Sequence, residues 1–500
     1  MDAMMTEGQG FWTASVRPLP SLRVLARLVA AAPGGCLLAS EGKVGPRSRY
    51  TFAAVDPFLV VSGTPWAAGA ENGGSAVEVE WRAPRPTLAP EGIPSTGCLT
   101  TADPIPILKE ILAAFPVPPT PSHPPFTGGL AGWFGYDLGR AFERLPQRAP
   151  DPLALPAFWL GAYDLVVAVD RLTRRATLIA TGYPERDPAR RAARARERLA
   201  WLAEALAEAE AAEAAEAATS PSVSPAGPRE GAPEPTSNFT RDAYLDAVRR
   251  VKNAIRCGDI YQANLTQRLR WAAPSDPSGW FADLLDRNPV PFAAYVRGDG
   301  YDVVSLSPER FLRVTGDRVE TDPIKGTRPR DADPVRDERN ARDLLASPKD
   351  RAELVMIVDL LRNDLGRVAV AGSVEVPELF RLESYTTVHH LVARVTARLA
   401  PGAHPLDALR AAFPGGSITG APKIRAMQII DEIEPHSRGL FMGSIGYVAA
   451  NGEMDTSIAI RTVVVKEGVA HLQVGGGIVH DSRAEDEYEE SLHKAASVLG

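Results

Sequence analysis

The C-terminal part of the chain contains short alternating segments that follow one another with no helix between them. Gly443–His480 is such a series and is divided by the turn dipeptide at residues 451–452. Tyr301–Glu320 alternates in the same way around a turn at residues 316–317. Strands joined by hairpins pair in antiparallel fashion, whereas parallel strands need a long crossover between them. The pattern therefore predicts an α+β fold with antiparallel sheets.

A change in composition separates two parts of the chain. Ala189–Ala218 is dominated by Ala, Glu and Arg, which favour helix, and Pro188 suits the first helical turn. Large apolar residues stop recurring after Leu206, so we expect a solvated helix rather than a coiled coil. Ser220–Pro235 is rich in Pro, Ser and Gly and is typical of a flexible connector. We therefore divide the chain into an N-terminal region (1–200), a helix and linker (201–237) and a C-terminal region (238–500).

Three further segments have helical periodicity. Thr240–Cys257 carries its apolar residues on one face, and Ala484–Leu499 is helical at the end of the sequence. Lys349–Leu365 has apolar residues on nearly every side, which predicts a buried helix.

The composition excludes several classes of protein. The formal net charge is −7, so electrostatics give no reason to expect binding to nucleic acid or anionic lipid. The three cysteines, Cys36, Cys98 and Cys257, lie far apart and suggest neither a disulfide framework nor a zinc site. Since no apolar run is long enough to span a bilayer, we expect a cytoplasmic protein with no membrane or nucleic-acid partner.

Two acid pairs are candidate metal ligands. Asp350 and Glu353, and likewise Glu487 and Glu490, are spaced three residues apart and therefore share one side of their predicted helices. Magnesium takes one or two protein carboxylates together with water and substrate oxygens. For the second pair, a solvated acidic face explains the pattern equally well. The apolar neighbours of Glu353 predict a buried carboxylate, which needs a cation or a donor nearby.

Other residues could serve a ligand or the reaction. Lys325 lies between an apolar residue and a glycine, where a partly desolvated amine can act as a nucleophile, although an ordinary surface lysine also fits. Arg461 could hold a carboxylate or form a structural ion pair, and His390 could be catalytic or structural. Bare amides at Gly475–Gly477 could face an anion. The stretch Phe413–Lys423 is not a nucleotide loop, because the required lysine is missing after Gly420.

Taken together, these stretches resemble one family. Seven stretches occur in the order found in the large synthase component of aminodeoxychorismate and anthranilate synthases. They are Ser305–Phe311, Pro323–Arg330, Lys349–Arg367, Gly415–Lys423, Met454–Arg461, the triple glycine and Glu487–Lys494. The resemblance covers essentially everything from Asn238 onward. Weaker similarity to the family's N-terminal region includes Leu37–Ser40, Ser48–Phe52 and Gly128–Arg140. It implies an anthranilate synthase component I-like body, with two packed antiparallel sheets surrounded by helices.

The resemblance also implies a role for each site residue. The catalytic group would comprise Lys325 as nucleophile, with Glu309 or His390 supplying a proton. The Mg²⁺ group would comprise Glu353 and Glu490, helped by Asp350 and Glu487. The groups binding the substrate's carboxylates and ring would be Gly326, Thr327, Thr419, Arg461, Gly475, Gly477 and Lys494. A tryptophan site is also implied, formed by Ser40, Arg49, Tyr50, Pro291 and Phe292.

The resemblance further implies a reaction. Anthranilate-forming members usually carry alanine where this chain has Lys325, so the lysine is similar to the members that aminate chorismate for 4-aminobenzoate and folate synthesis. The alternatives are an anthranilate synthase component I and a non-catalytic tryptophan or chorismate sensor. No Gly-x-Cys-x-Gly elbow of a glutaminase surrounds any of the cysteines. We therefore expect ammonia to come from a separate glutamine amidotransferase subunit.

Overall fold

The structure, a computed structural model, describes most of the chain. The described residues are 6–7, 10–45, 47–65, 76–84, 95–120, 123–146, 148–219, 235–385 and 388–499. The predicted flexible connector, Ser220–Pro235, lies outside them except for its last residue.

Eleven helices are present in these ranges, together with short 3-10 turns at Tyr136–Leu138 and Gly416–Ile418. The helices are α1 Leu22–Ala31, α2 Ile105–Ala114, α3 Gly139–Phe142, α4 Pro188–Thr219, α5 Arg241–Arg256, α6 Pro277–Arg287, α7 Pro334–Ala346, α8 Pro348–Gly366, α9 Pro405–Ala412, α10 Lys423–Ile433 and α11 Ala484–Leu499. Side-chain caps fix several of the starting points, since Thr240 accepts from the Ala243 amide at α5 and Ser347 accepts from the Asp350 amide at α8.

The strands are short. They are β1 Thr6–Glu7, β2 Trp12–Val16, β3 Cys36–Ala39, β4 Tyr50–Ala54, β5 Leu59–Pro65, β6 Val77–Arg82, β7 Thr96–Thr101, β8 Gly129–Phe134, β9 Phe158–Tyr163, β10 Leu165–Asp170, β11 Arg175–Ala180, β12 Thr236–Ser237, β13 Gln262–Ala272, β14 Phe292–Arg297, β15 Tyr301–Ser307, β16 Arg310–Thr315, β17 Arg318–Thr321, β18 Ile324–Pro329, β19 Glu375–Ser384, β20 Val388–Arg398, β21 Gly420–Ala421, β22 Ser444–Ala449, β23 Met454–Ile458, β24 Thr462–Lys466 and β25 Val469–Ile478.

Among the described residues, the strands form two large sheets. Sheet I has the order β1-β2-β11-β10-β4-β3-β14-β15-β24-β25-β13-β12, with β21 also beside β13. Sheet II has the order β18-β20-β17-β16-β23-β22-β8-β9-β5-β6-β7, with β19 also beside β20. Neighbouring strands pair in antiparallel fashion, for example β13 with β25 and β22 with β23. The α+β class with antiparallel sheets is thus confirmed.

Each sheet joins a block of strands from the N-terminal part of the sequence to a block from the C-terminal part. In sheet I, β3 pairs with β14, and in sheet II, β8 pairs with β22. The sheets pack face to face through apolar side chains, and the ring of Phe52 from sheet I lies 5.6 Å from that of Tyr447 from sheet II. Helices α1, α4 and α6 cover the other face of sheet I. The candidate site is therefore built on a framework to which both ends of the sequence contribute.

Two expectations about helices are wrong. Helix α4 is not solvated along its length, because Ala195, Leu199, Leu202 and Leu206 are buried against sheet I. These residues follow helical spacing, which is sufficient for packing on a sheet without a heptad repeat. Helix α8 is buried on one side only, and Val355 on the other side is 44% exposed.

No helix in the described ranges is both long and apolar enough to cross a membrane.

Candidate functional site

Lys325 lies at a distortion in sheet II. The pairing of β18 with β20 shifts register between Lys325 and Thr327, which leaves Gly326 as the irregular residue. Gly326 has a φ of +78°, and a Cβ there would lie 2.9 Å from the Asp350 side chain. Such bulges change the direction of neighbouring side chains. The Lys325 amine donates to the carbonyl oxygen of Ser417 at 3.3 Å.

The surroundings of Lys325 favour its neutral form. Desolvation lowers the pKa of the amine, and the nearby carboxylates of Glu353 and Glu309 only partly oppose this effect. Lys494 lowers the pKa further because its positive charge is close. A neutral amine has a free lone pair and can attack carbon, so Lys325 has the character required of a nucleophile.

Glu309 precedes β16 and is only 5% exposed. Burial raises the pKa of its carboxyl, while a hydrogen bond with the Ser417 side chain and the charges of Lys325 and Arg47 act in the opposite direction. A carboxyl whose pKa is raised retains its proton to higher pH and can donate it to a leaving group. Glu309 is therefore suited to act as a general acid close to Lys325.

His390 lies on β20 and is buried. Its Nδ1 is 3.0 Å from the hydroxyl of Thr327. Desolvation, and secondly the charge of Arg461, lower the pKa of the imidazole to about 4. The ring is therefore neutral near pH 7, which favours Glu309 over His390 as the group that holds the proton at the start of a reaction. The neighbouring His389 is tied to Asp337 at 2.9 Å and to Ser384 at 2.8 Å.

The two predicted acid pairs lie on α8 and α11. Burial raises the pKa of Glu353, and the charges of Asp350 and Glu490 raise it further. Glu487 is buried and accepts a hydrogen bond from Ser482 at 2.6 Å, and desolvation raises the pKa of this carboxyl as well. Desolvation also acts on Glu490, but Lys494, 2.7 Å away, lowers the pKa of that carboxyl. The two helices thus bring mutually repelling carboxylates close to Lys325.

No three His, Cys, Asp or Glu side chains in the described ranges converge into a complete metal-binding group. The arrangement on α8 and α11 instead fits a hard cation that takes few protein ligands and completes its shell with water and substrate oxygens. The repulsion among Glu353, Asp350 and Glu490 supports this fit, because a divalent cation would neutralise it.

Arg461 is a candidate for binding a carboxylate. It follows β23 with a φ of +50°, and burial lowers the pKa of its guanidinium. Among the described residues no carboxylate offsets the lost solvation of this guanidinium, since burial alone acts on its pKa. Its positive charge lowers the pKa of His390. A guanidinium that is partly buried and unpaired is a strong donor for an incoming carboxylate.

The predicted glycines lie on β25. Gly475 and Gly477 face Thr266 and Asn264 across the ladder with β13. A Cβ on Gly475 would lie 1.9 Å from the Leu265 carbonyl oxygen, so a side chain there is excluded. Lys494 donates to the Gly475 carbonyl at 2.9 Å.

Thr419 is fully buried, and its hydroxyl donates to the Gly415 carbonyl at 3.0 Å. The Thr419 hydroxyl is therefore engaged within its own loop, whereas the Thr327 hydroxyl is directed to His390.

The structure adds three residues that the sequence did not point to. Ser417 contacts Lys325 through its carbonyl and Glu309 through its side chain. Asn264 on β13 donates to the same Ser417 carbonyl at 2.8 Å. Gln262 is fully buried, and neither polar atom of its amide has a hydrogen-bond partner among the described residues. In the sequence, Ser417 belongs to the stretch Phe413–Lys423, and Gln262 and Asn264 belong to a strand. Neither pattern indicates that these residues lie close to Lys325.

A separate cavity lies between the two sheets. Its volume is about 450 Å³, and its lining includes the residues of the predicted tryptophan site, namely Ser40, Arg49, Tyr50, Pro291 and Phe292. Ser40 donates to the Pro291 carbonyl at 2.7 Å, and Arg49 pairs with Asp170 at 2.8 Å.

Comparison with known proteins identifies the family. The model for "chorismate binding enzyme" matches residues 93–500. The chain belongs to the chorismate-binding enzyme family. The matched range contains both acid pairs and β18 with Lys325.

Individual chorismate-binding enzymes from two branches are similar to this chain. It is 43% identical to aminodeoxychorismate synthase component 1 of Klebsiella aerogenes, over 88% of this chain and 95% of that protein. It is 44% identical to anthranilate synthase component 1 of Thermus thermophilus, over 80% of this chain and 82% of that protein. Overall identity alone therefore does not separate the two branches.

A solved chorismate-binding enzyme has the same fold. Anthranilate synthase component I from Streptococcus pneumoniae superimposes with a TM-score of 0.71 at 28% identity, covering 92% of this chain and 93% of that one. The expectation of an anthranilate synthase component I-like architecture is confirmed.

Proposed function

We propose that this chain aminates chorismate with ammonia to 4-amino-4-deoxychorismate, the precursor of 4-aminobenzoate and folate. The observation that carries the proposal is the arrangement of Lys325, an amine with a lowered pKa, beside the raised-pKa carboxyl of Glu309. The similarity to aminodeoxychorismate synthase component 1 supports the choice of product.

The reaction follows from these two groups. The Lys325 amine forms a bond to ring carbon 2, the double bond shifts, and the 4-hydroxyl leaves as water with a proton from Glu309. Ammonia then forms a bond to carbon 4, the double bond shifts back, and the bond between carbon 2 and the lysine amine breaks. The new ammonium group returns a proton to Glu309, so both Lys325 and Glu309 are restored. His390, neutral and joined to Thr327, is suited to orient the substrate rather than to supply the first proton.

The remaining predicted residues are assigned to binding. The carboxylates and the ring of the substrate would be held by one group of residues, namely Arg461, the backbone around Gly475 and Gly477, Lys494, Gly326, Thr327 and Thr419. Glu353 and Glu490, with Asp350 and Glu487 acting through water, would hold Mg²⁺. When bound, this ion would neutralise negative charge next to a substrate carboxylate.

Ammonia would be delivered by a separate glutamine amidotransferase subunit. The relatives named component 1 support an arrangement in which synthase and partner are different chains.

A second function is favoured by one observation. The Thermus thermophilus relative, named anthranilate synthase component 1, is 44% identical to this chain. An anthranilate synthase would eliminate pyruvate from the aminated ring in the same site. Lys325 would then not be needed as a nucleophile, so the two functions differ in what the lysine does.

The test is to detect the covalent intermediate. Purified protein is mixed with chorismate and Mg²⁺ without ammonia, and its intact mass is measured. We expect an adduct equal to chorismate minus water on Lys325, and none in the Lys325→Ala variant, which should also lose amination by at least about 10³-fold. Active wild-type protein without an adduct, or an active Lys325→Ala variant, would contradict the proposal.

The cavity between the sheets is proposed to bind tryptophan. Its volume of about 450 Å³ and the lining by Tyr50, Phe292 and Ser40 support an aromatic amino acid. Titration of the protein with tryptophan in a calorimeter, compared with a Ser40→Trp variant designed to fill the cavity, tests this. Equal heats for the two proteins would exclude tryptophan from the cavity.

A further inference from the structure

Asn264 lies between β25, which carries Gly475 and Gly477, and the loop at residues 416–419, whose Ser417 carbonyl accepts from Lys325. It belongs to β13 and is 8% exposed. Across the ladder its partner is Gly477, and a Cβ on that glycine would lie 3.4 Å from the Asn264 side-chain oxygen. Its side-chain nitrogen points in the other direction, to the carbonyl of Ser417 at 2.8 Å.

The same residue is joined to residues 417–419 by two direct hydrogen bonds and by a third connection through Arg438. Besides the side-chain contact to Ser417, the Asn264 backbone amide donates to the Thr419 carbonyl at 2.8 Å. The Asn264 carbonyl accepts from Arg438 at 2.7 Å, and Arg438 also donates to the Ile418 carbonyl at 2.9 Å. Residues 417–419 are thus held at consecutive carbonyls, which makes the Ser417 carbonyl a fixed point.

The Ser417 carbonyl receives two donors. One is the Asn264 amide at 2.8 Å, and the other is the Lys325 amine at 3.3 Å. A carbonyl oxygen has two lone pairs, so both bonds can exist together. When Lys325 is neutral, donating one N–H to this carbonyl restricts the directions in which the single lone pair of the amine can point.

We propose that Asn264 is the positioning residue for the nucleophile: its amide fixes the Ser417 carbonyl that orients the amine of Lys325 toward the substrate. This inference rests on the proposed function, in which Lys325 attacks the ring. Asn264 does not touch the reacting atoms and forms no bond in the reaction. Its effect is on the geometry of attack, where an error of about 1 Å can cost on the order of 10²-fold in rate.

The test compares Asn264→Leu, which keeps the branched outline of the side chain but removes the donor, with a matched control. Asn451 makes the same type of contact, donating its side-chain amide to the Pro125 carbonyl at 3.1 Å, in the turn between β22 and β23. For Asn264→Leu we expect the rate of adduct formation on Lys325 and kcat to fall about 10- to 100-fold, with KM for chorismate changed less than about threefold. Asn451→Leu should keep kcat within about twofold.

Two further measurements keep the outcomes separable. Asn264→Asp retains the shape, lacks a donor when ionised, and should show the same loss if Asn264→Leu does not fold. Labelling of Lys325 by an amine-reactive reagent without chorismate, read by peptide mass, should change in the Asn264 variants and not in Asn451→Leu. Asn264 variants with unchanged kcat and unchanged labelling would overturn the inference. An inactive wild-type protein would instead contradict the proposed function.

Discussion

Glu309 and Arg310 are adjacent in the chain, but their side chains lie in different sites. The Glu309 carboxyl is hydrogen-bonded to the Ser417 side chain and lies within the electrostatic influence of Lys325. Arg310 instead lines the cavity between the sheets, and its guanidinium carbon is 5.0 Å from the centre of the Phe292 ring. Successive residues of a strand face opposite sides of a sheet. The start of β16 is therefore a wall shared by the candidate active site and the cavity.

Arg310 should contribute strongly to stability. Its side chain is 1% exposed and pairs with Asp455 at 3.0 Å and with Asp322 at 3.3 Å. The variant Arg310→Met removes the cation paired with Asp455, while Asp322 keeps its pairs with Arg394 and Arg47. We therefore expect the free energy of unfolding to fall by about 3 kcal/mol. Urea titration measures this. Arg313→Met, at a side chain that is 31% exposed, should cost less than about 1 kcal/mol, and equal losses would contradict the account.

The acid pairs should control the response to magnesium. Glu353→Gln removes one proposed ligand while preserving shape, so the Mg²⁺ concentration for half-maximal activity should rise at least about 10-fold. The control is Glu489→Gln, because Glu489 is an exposed carboxylate on the same helix as Glu490. A rise of the same size in both variants would show that general charge, and not a ligand, was lost.

Stability should depend on pH through His390. The folded protein holds this imidazole neutral, with its pKa lowered from 6.5 to about 4, so the unfolded chain binds protons more readily. The free energy of unfolding should therefore decrease as the pH falls from about 6.5 toward 4, by at most about 3 kcal/mol from this residue. His390→Gln should flatten that slope. His480→Gln, at a side chain that is 73% exposed, should leave the slope unchanged.

Arg461 should bind a substrate carboxylate. Arg461→Lys keeps the charge but loses the planar fork, so we expect kcat/KM for chorismate to fall about 10- to 100-fold. Arg425→Lys tests the same exchange at an exposed pair with Asp259, 3.1 Å away, and should be nearly silent. Equal kcat/KM values for Arg461→Lys and wild type would remove Arg461 from the binding site.

The sequence predicted the elements whose signals are local. Turn dipeptides and alternation identified β22 to β25, and the spacing of apolar residues identified α5 and α11. The burial of α4 was missed, because Leu199, Leu202 and Leu206 follow helical spacing without a heptad repeat, and a helix can pack on a sheet without such a repeat. Which sides of α8 are covered depends on neighbours that are distant in sequence, so the exposure of Val355 was not predictable either.

Some residues of the candidate site could be predicted from the sequence, and others could be found only from the fold. Lys325 and the acid pairs carry chemistry that can be recognised in sequence. Ser417 makes its contacts through a backbone carbonyl and a hydroxyl, which any serine has. Asn264 is hydrogen-bonded to Ser417 although the two residues are 153 positions apart in the sequence. Such roles arise only from tertiary structure. The neutral state of His390 likewise depends on burial and on Arg461, so the choice between His390 and Glu309 needed the fold.

The most direct test of the central claim is the product formed by the purified protein. Chorismate, Mg²⁺ and ammonium are supplied at mildly alkaline pH, and products are resolved by mass and fluorescence with and without an added aminodeoxychorismate lyase. The account predicts a product that becomes 4-aminobenzoate only when the lyase is present. Anthranilate formed without the lyase would contradict it and would assign this chain to the other branch of the family.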